Sequence, residues 1–190
     1  MKNLILAVLP FVAAFALVGN LQAAGKPKVH FKTNMGDFTI ELEPDRAPQT
    51  VENFLQYVRD GHYDGLVFHR VIKAFMIQGG GFDTNYERRP TRAPIENEAD
   101  KGIPNERGTI AMARTNDPHS ATAQFFINTA DNHPLNHTDK SPRGWGYAVF
   151  GKVTSGLDVV RQIEGSTTGQ SNGMGDVPTE DVVIQKVEVE

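Results

Sequence analysis

From Val29 to the C-terminus the chain reads as about eight short strands with only two helical stretches among them, and the roughly 30-residue βαβ rhythm of a parallel sheet is missing. Val29, Phe31 and Thr33 alternate with polar neighbours, as do Phe38, Ile40 and Leu42, and Asn34-Met35-Gly36-Asp37 between them carries turn chemistry. Pro44–Pro48 stops that hairpin. Val51, Phe54, Leu55 and Val58 then fall at i, i+3, i+4 and i+7, one stripe of a helix that Gly61 ends. Leu66–Val71, Ala74–Gly79, Thr109–Ala113, Gln124–Thr129, Tyr147–Val153 and Asp181–Glu190 supply the other strands. Leu157–Ile163 makes the second helix, with Val160 and Ile163 facing in. Many short strands without parallel crossovers imply an antiparallel sheet, and closing it into a barrel leaves no edge unpaired. The expected fold is therefore mainly β: a closed eight-stranded antiparallel β-barrel capped by two α-helices.

Two segments resist assignment to regular structure. Gly80–Gly108 contains Pro90, Pro94 and Pro104 with many charges, and Asp131–Gly146 is rich in Asn, Asp, Pro and Gly. Loops this long in compact domains are functional or mobile.

Composition removes several classes of chemistry. A total of 190 residues suits one domain. The formal charge is −4 with no basic block, which disfavours nucleic acid as a partner. There is no cysteine, so disulfides, thiol catalysis and thiolate metal sites are excluded.

The first residues have the pattern of a secretory signal. Met1-Lys2 is positive, Leu4–Val18 is apolar with Pro10 inside it, Gly19-Asn20 breaks the run, and Leu21-Gln22-Ala23-Ala24 offers small residues for cleavage. Fifteen apolar residues fall short of the roughly twenty that span a bilayer. The expectation is a signal peptide over 1–23, cut after Ala23 or Ala24, and one soluble exported domain over 24–190. Removing Lys2 leaves 18 basic against 23 acidic residues, a formal charge of −5.

The densest chemistry lies in Phe68–Phe82, where a guanidinium (Arg70), an aromatic ring (Phe75), a thioether (Met76) and a carboxamide (Gln78) precede Gly79-Gly80-Gly81. If the two halves of this run pair as antiparallel strands, these four side chains share one wall, apolar enough for a small ring and edged with strong donors. His69 then points to the opposite face and packs. Other motifs are weaker. The glycines lack the Gly-Lys-Ser/Thr of a phosphate loop. His133 and His137 have zinc-pair spacing, but Pro134 and loop surround them. Ser120, His119 and Asp117 lie too close in sequence for triad geometry.

Phe68-His69-Arg70-Val71-Ile72, Phe75-Met76-Ile77-Gln78-Gly79-Gly80, Ala123-Gln124-Phe125-Phe126-Ile127 and Val149-Phe150-Gly151-Lys152-Val153, in that order, resemble the cyclophilin-type peptidyl-prolyl isomerases. The resemblance spans about Val29 to Val189, and Ala111-Met112-Ala113-Arg114-Thr115 with the apparent signal is most similar to the periplasmic cyclophilins of Gram-negative bacteria. It implies an eight-stranded barrel with two capping helices and rotation about X-Pro bonds, without metal or cofactor. It implies Arg70 as the catalytic cation and Gln78 as the group that orients it or holds substrate backbone. Phe75, Met76, Phe126 and Leu135 then line the proline pocket, Gln124 sits at its rim, and Ala113 and Arg114 offer main-chain contacts.

Two positions depart from the better-known eukaryotic pattern: Pro134 stands in place of a wall tryptophan, and Tyr147 in place of a histidine before Val-Phe-Gly-Lys. Because that tryptophan supports cyclosporin binding in the family, weak cyclosporin binding is expected. Expected partners are unfolded or flexible proline-containing polypeptides met by a monomer in the periplasm, with neither nucleic acid nor, after cleavage, membrane. A non-catalytic proline-peptide binder or holdase chaperone is the alternative.

Overall fold

The computed structural model describes residues 25–190; the signal segment expected over 1–23 lies outside the described residues. The elements run β1 Lys28–Thr33, β2 Gly36–Leu42, α1 Pro48–Arg59, β3 Leu66–Val67, β4 Arg70–Ile72, β5 Met76–Gly79, β6 Thr109–Met112, β7 Phe125–Asn128, β8 Val149–Ser155, α2 Leu157–Glu164, β9 Thr168–Ser171, β10 Met174–Pro178 and β11 Val183–Val189. Nine strands form one antiparallel sheet in the order β3-β11-β1-β2-β8-β6-β7-β5-β4.

The first hairpin forms as its alternation demands. Phe31 pairs with Phe38 across it, their rings stacked 4.7 Å apart. Gly36 closes the turn at φ +122°, where an added Cβ would meet Val159 Cγ2 at 2.9 Å.

The two outer strands of the sheet, β3 and β4, belong to one segment, Leu66–Ile72. Its first half pairs with β11 and its second with β5, so the segment expected as a continuous strand is broken at Phe68-His69. There the backbone changes partners: Phe68 N–H donates to Val182 C=O and Val67 N–H to Phe82 C=O, both at 2.9 Å. With the two halves counted as one, the sheet is the expected eight-stranded curl. It is nearly closed, but the seam runs through covalent backbone instead of an unbroken ladder.

The interior is solid. Phe31, Phe38, Phe54, Phe68, Tyr63, Phe125 and Phe150 are fully buried, and Phe54 lies 5.0 Å from Phe150 and 6.0 Å from Phe125. No lumen for a ligand remains among these rings. α1 delivers Val51, Phe54, Leu55 and Val58 to this core, and α2 delivers Val160 and Ile163. Pro48 occupies the first turn of α1, where its missing N–H costs nothing. The cap comes from the irregular 80–108 segment: buried Glu98 accepts the N–H groups of Gln49 (3.3 Å) and Thr50 (2.8 Å) and the Thr50 hydroxyl (2.8 Å). A carboxylate at a helix N-terminus also meets the positive end of the helix dipole.

A second small sheet, β9–β10, is absent from the sequence expectation. Its residues are mostly exposed and show no apolar alternation, so periodicity had nothing to find. Its turn, Asn172-Gly173 with both φ angles positive, was the available signal.

Candidate functional site

Alternation along β4, β5 and β7 sends every second side chain outward, away from the barrel core. Arg70 pairs with Gln78, Ile72 with Met76, and Gln78 with Phe126 in register, which sets Arg70, Met76, Gln78 and Phe126 on one outer surface. Phe75 joins them from the β4–β5 turn. Leu135 arrives on a single 3-10 turn, His133–Leu135, and Tyr147 just before β8 donates its N–H to Leu135 C=O at 3.0 Å. These seven side chains, with Ala113 and Arg114, line a cleft of about 300 Å³. Met76 and Phe126 form its buried base and pack with Ala111 and Val149 in a small apolar cluster separate from the barrel core. The Phe126 and Tyr147 rings meet edge-on at 5.6 Å.

Gln124 does not line this cleft. It sits one step behind, where its Oε1 accepts from Gln78 Nε2 at 3.0 Å, while Gln78 Oε1 faces Arg70 Nη1 at a long 3.5 Å. The three side chains thus form a relay of amide dipoles that ends on the guanidinium. Gln124 and Arg70 both face a neighbouring cleft of about 330 Å³ that Asp176 also lines.

Asp176 escaped sequence reasoning because it belongs to the unrecognised β9–β10 hairpin. A register irregularity between Met174 and Val177 displaces it, and it adopts φ +60°. Its Oδ2 stands 3.8 Å from Arg70 Nε, and both side chains are about half exposed. Arg70 therefore meets an anion on its Nε edge and a carboxamide near Nη1.

A buried carboxamide network was missed for a different reason: asparagines in loop-like sequence look solvated. Asn132 Nδ2 donates to Phe75 C=O (2.8 Å) and Asn128 Oδ1 (2.6 Å), and Asn128 Nδ2 donates to Thr109 Oγ1 (2.9 Å) and Asn105 Oδ1 (3.2 Å). Asn105 Nδ2 reaches Leu135 C=O at 3.2 Å. Two cleft residues on separate loops, Phe75 and Leu135, are held through their backbones by one set of amides.

Arg114 does more than the main-chain contact expected of it. Its Nε donates to Gly146 C=O (2.9 Å), Nη1 to Thr115 C=O (2.9 Å) and Nη2 to Pro142 C=O (3.0 Å), and its guanidinium lies 4.7 Å from the Tyr147 ring centre. It ties down the 131–146 loop. The Ala113 N–H is taken by Gln124 C=O at 2.9 Å.

Trp145 does not fill the place left by the wall tryptophan. It turns away from the cleft and sits edge-on between His119 (4.6 Å) and His137 (5.8 Å), its Nε1 donating to Asn97 C=O at 3.1 Å. Pro134 is exposed. His69 lies in the break between β3 and β4, not on the opposite face of a continuous strand; it borders the neighbouring cleft with Arg70, is buried edge-on against Phe82 at 4.8 Å, and burial holds its pKa down at about 4. It is neutral at pH 7 and packs as expected.

Comparison with known proteins agrees with this geometry. The model of the family "Cyclophilin type peptidyl-prolyl cis-trans isomerase/CLD" matches residues 28–189. Over 161 residues the chain is 60% identical to the peptidyl-prolyl cis-trans isomerase cyp18 of Streptomyces antibioticus, covering 85% of this chain and 97% of that one. It is 55% identical to peptidyl-prolyl cis-trans isomerase B of Escherichia coli, covering 85% and 98%. Among solved structures, a cyclophilin type peptidyl-prolyl cis-trans isomerase of Cryptosporidium parvum, crystallised in the presence of the dipeptide Ala-Pro, superposes with a TM-score of 0.70 at 25% identity, covering 86% of this chain and 98% of that one. An aromatic-walled cleft outside a filled barrel, a guanidinium at its rim and relatives this similar over nearly their whole length lead to one conclusion: the chain belongs to the cyclophilin family and is a cyclophilin-type peptidyl-prolyl cis-trans isomerase.

Proposed function

We propose that Arg70 drives X-Pro rotation in exported polypeptides and that the enzyme assists their folding outside the cytoplasm. The observation that carries the catalytic reading is a half-exposed guanidinium at the rim of a cleft whose base is Met76 and Phe126. Rotation breaks amide resonance against a barrier of roughly 18–20 kcal/mol. In the twisted state the proline nitrogen regains its lone pair and accepts a hydrogen bond that the planar amide refuses. A guanidinium donor aimed there stabilises the transition state selectively, the only kind of binding that raises turnover. Gln78 and Asp176 hold the fork from two sides, and Phe75, Met76, Phe126 and Leu135 grip the ring while the preceding carbonyl swings. One charge-assisted hydrogen bond of about 1.5–3 kcal/mol accounts for a factor of about ten to a few hundred. Exclusion of water by the apolar walls supplies the rest.

The apolar run Leu4–Val18 and the small residues at Ala23 and Ala24 support export to the periplasm. Val189 is the only large hydrophobic side chain that is exposed among the described residues, which supports a monomer. Exposed Pro134 and the diverted Trp145 leave one cleft wall low, which supports weak cyclosporin binding.

Three measurements test these points. Residues 1–24 fused to a reporter that works only outside the cytoplasm should yield activity, and a silent fusion refutes export. Wild type should speed a proline-limited refolding reaction while Arg70→Ala does not; equal acceleration by both favours the holdase reading. Cyclosporin should inhibit weakly, and nanomolar inhibition would show that Pro134 carries no weight.

A further inference from the structure

Past Tyr147 the proline cleft continues into a larger one, of about 670 Å³. The two share Arg114, Leu135 and Tyr147, and the second adds Pro134, Pro142 and Arg143 to its lining. Two guanidinium groups face this space and no carboxylate lines it. The charge of Arg114 is not cancelled, because its hydrogen bonds end on the carbonyls of Gly146, Thr115 and Pro142 and its plane rests on the Tyr147 ring. Arg143 is exposed and makes no ion pair or side-chain hydrogen bond among the described residues. Neither acid of the 131–146 loop lines the cleft: Asp131 accepts the Arg107 N–H at 2.9 Å, and Asp139 accepts Ser141 N–H (2.7 Å) and the Thr138 hydroxyl (3.3 Å), which hold its carboxyl below the usual carboxylate range and ionised outside the cleft. On a chain of net charge −4, this is a local positive basin.

We propose that the Arg114–Arg143 cleft is a subsite for an acidic side chain of the substrate, so that the enzyme prefers X-Pro bonds with Asp or Glu close by. The inference rests on the neighbouring cleft being the proline site. An extended chain advances about 3.3 Å per residue, so a carboxylate one to three residues from the proline reaches the adjoining cleft. Two cations on a partly enclosed surface favour an anion there and repel a lysine, and the discrimination weakens as salt screens it.

The test is a peptide series in which Glu, Gln or Lys occupies each of three positions on either side of a fixed X-Pro pair, with exchange rates read by NMR so that no protease adds its own preference. At one or more positions the Glu peptide should exceed the Lys peptide in kcat/KM by about threefold to tenfold at low salt. The gap should close at about 0.5 M salt, where the screening length falls to a few ångströms. Arg143→Glu should invert the order and Arg143→Gln should shrink the gap, while turnover of the all-Gln peptide stays unchanged in both. An absent charge preference in wild type, or one that survives in Arg143→Glu, overturns the proposal. Failure to turn over the all-Gln peptide in wild type would instead strike the isomerase reading itself.

Discussion

β5 and β7 each serve two regions of opposite character. Their inward residues Ile77, Phe125 and Ile127 vanish into a filled aromatic core, while their outward residues Met76, Gln78 and Phe126 build the cleft. Phe125 and Phe126 are adjacent in sequence, chemically identical and almost equally buried, at 0% and 4% exposure. What differs is the far side of each ring. Phe125 is ringed by Phe31, Phe54, Tyr63 and Phe68, whereas Phe126 rests on Met76, Ala111 and Val149, meets one tyrosine edge and turns its remaining face to the cleft. Burial alone therefore does not separate core from site; whether side chains close over every face of the ring does.

The sharpest break of that comparison is to truncate each phenylalanine in turn. Phe125→Ala should cost about 3–5 kcal/mol in urea unfolding, the range for a large cavity in a core that cannot collapse. Phe126→Ala should lose distinctly less stability but most of its activity. If the two variants are equally unstable, the cleft is merely an extension of the core.

Next in size is an acid effect at the β3–β4 seam. The folded-state pKa of His69 is about 4, below the ordinary value of 6.5 that the unfolded chain restores. The unfolded state binds a proton first, so this contribution is complete above pH 6.5 and fades as pH falls toward 4. At 1.36 kcal/mol per unit the full span is roughly 3 kcal/mol. Urea midpoints of wild type should drop between pH 7.5 and pH 4.5, and His69→Phe should lose that part of the slope; parallel slopes would assign it to other groups.

On the cleft side, Arg70→Ala should lower kcat/KM at least tenfold, about 1.4 kcal/mol of barrier, with the unfolding midpoint within error of wild type. A variant as active as wild type removes Arg70 from the chemistry. The smallest effect belongs to Asp176→Asn. An exposed pair at 3.8 Å is worth little, and about a twofold loss in kcat with KM unchanged is expected. The same change should do nothing when added to Arg70→Ala, since Asp176 acts through that guanidinium.

Periodicity made the inner face legible. The hairpin of Phe31 and Phe38, the stripe of α1 and the alternation of β5 and β7 each follow from residue order, because burial on one side imposes a period of two or 3.6. The cleft residues were legible through the resemblance of four motifs, and nine of the ten side chains named for it gather around one space, with Gln124 a single hydrogen bond behind. Three features were not legible. The β9–β10 hairpin is mostly exposed and shows no apolar alternation, its only buried residues being the consecutive Val177 and Pro178, so Asp176 had no pattern to ride on. The strand break at Phe68-His69 depends on which neighbours claim the backbone, a long-range matter. The Asn105–Asn128–Asn132 network joins residues distant in sequence, and nothing local distinguishes a buried asparagine from a turn asparagine.

That network has a chemical consequence. Carboxamides neither gain nor lose a proton in ordinary water, and a guanidinium keeps its charge. A cleft braced by Asn105, Asn128 and Asn132 and armed by Arg70 and Gln78 thus lacks the imidazole or thiol through which many enzymes are throttled by acidity. Its catalytic speed should stay level across the neutral range even where the medium is not under the control of the cell, leaving overall unfolding as the way acid stops it.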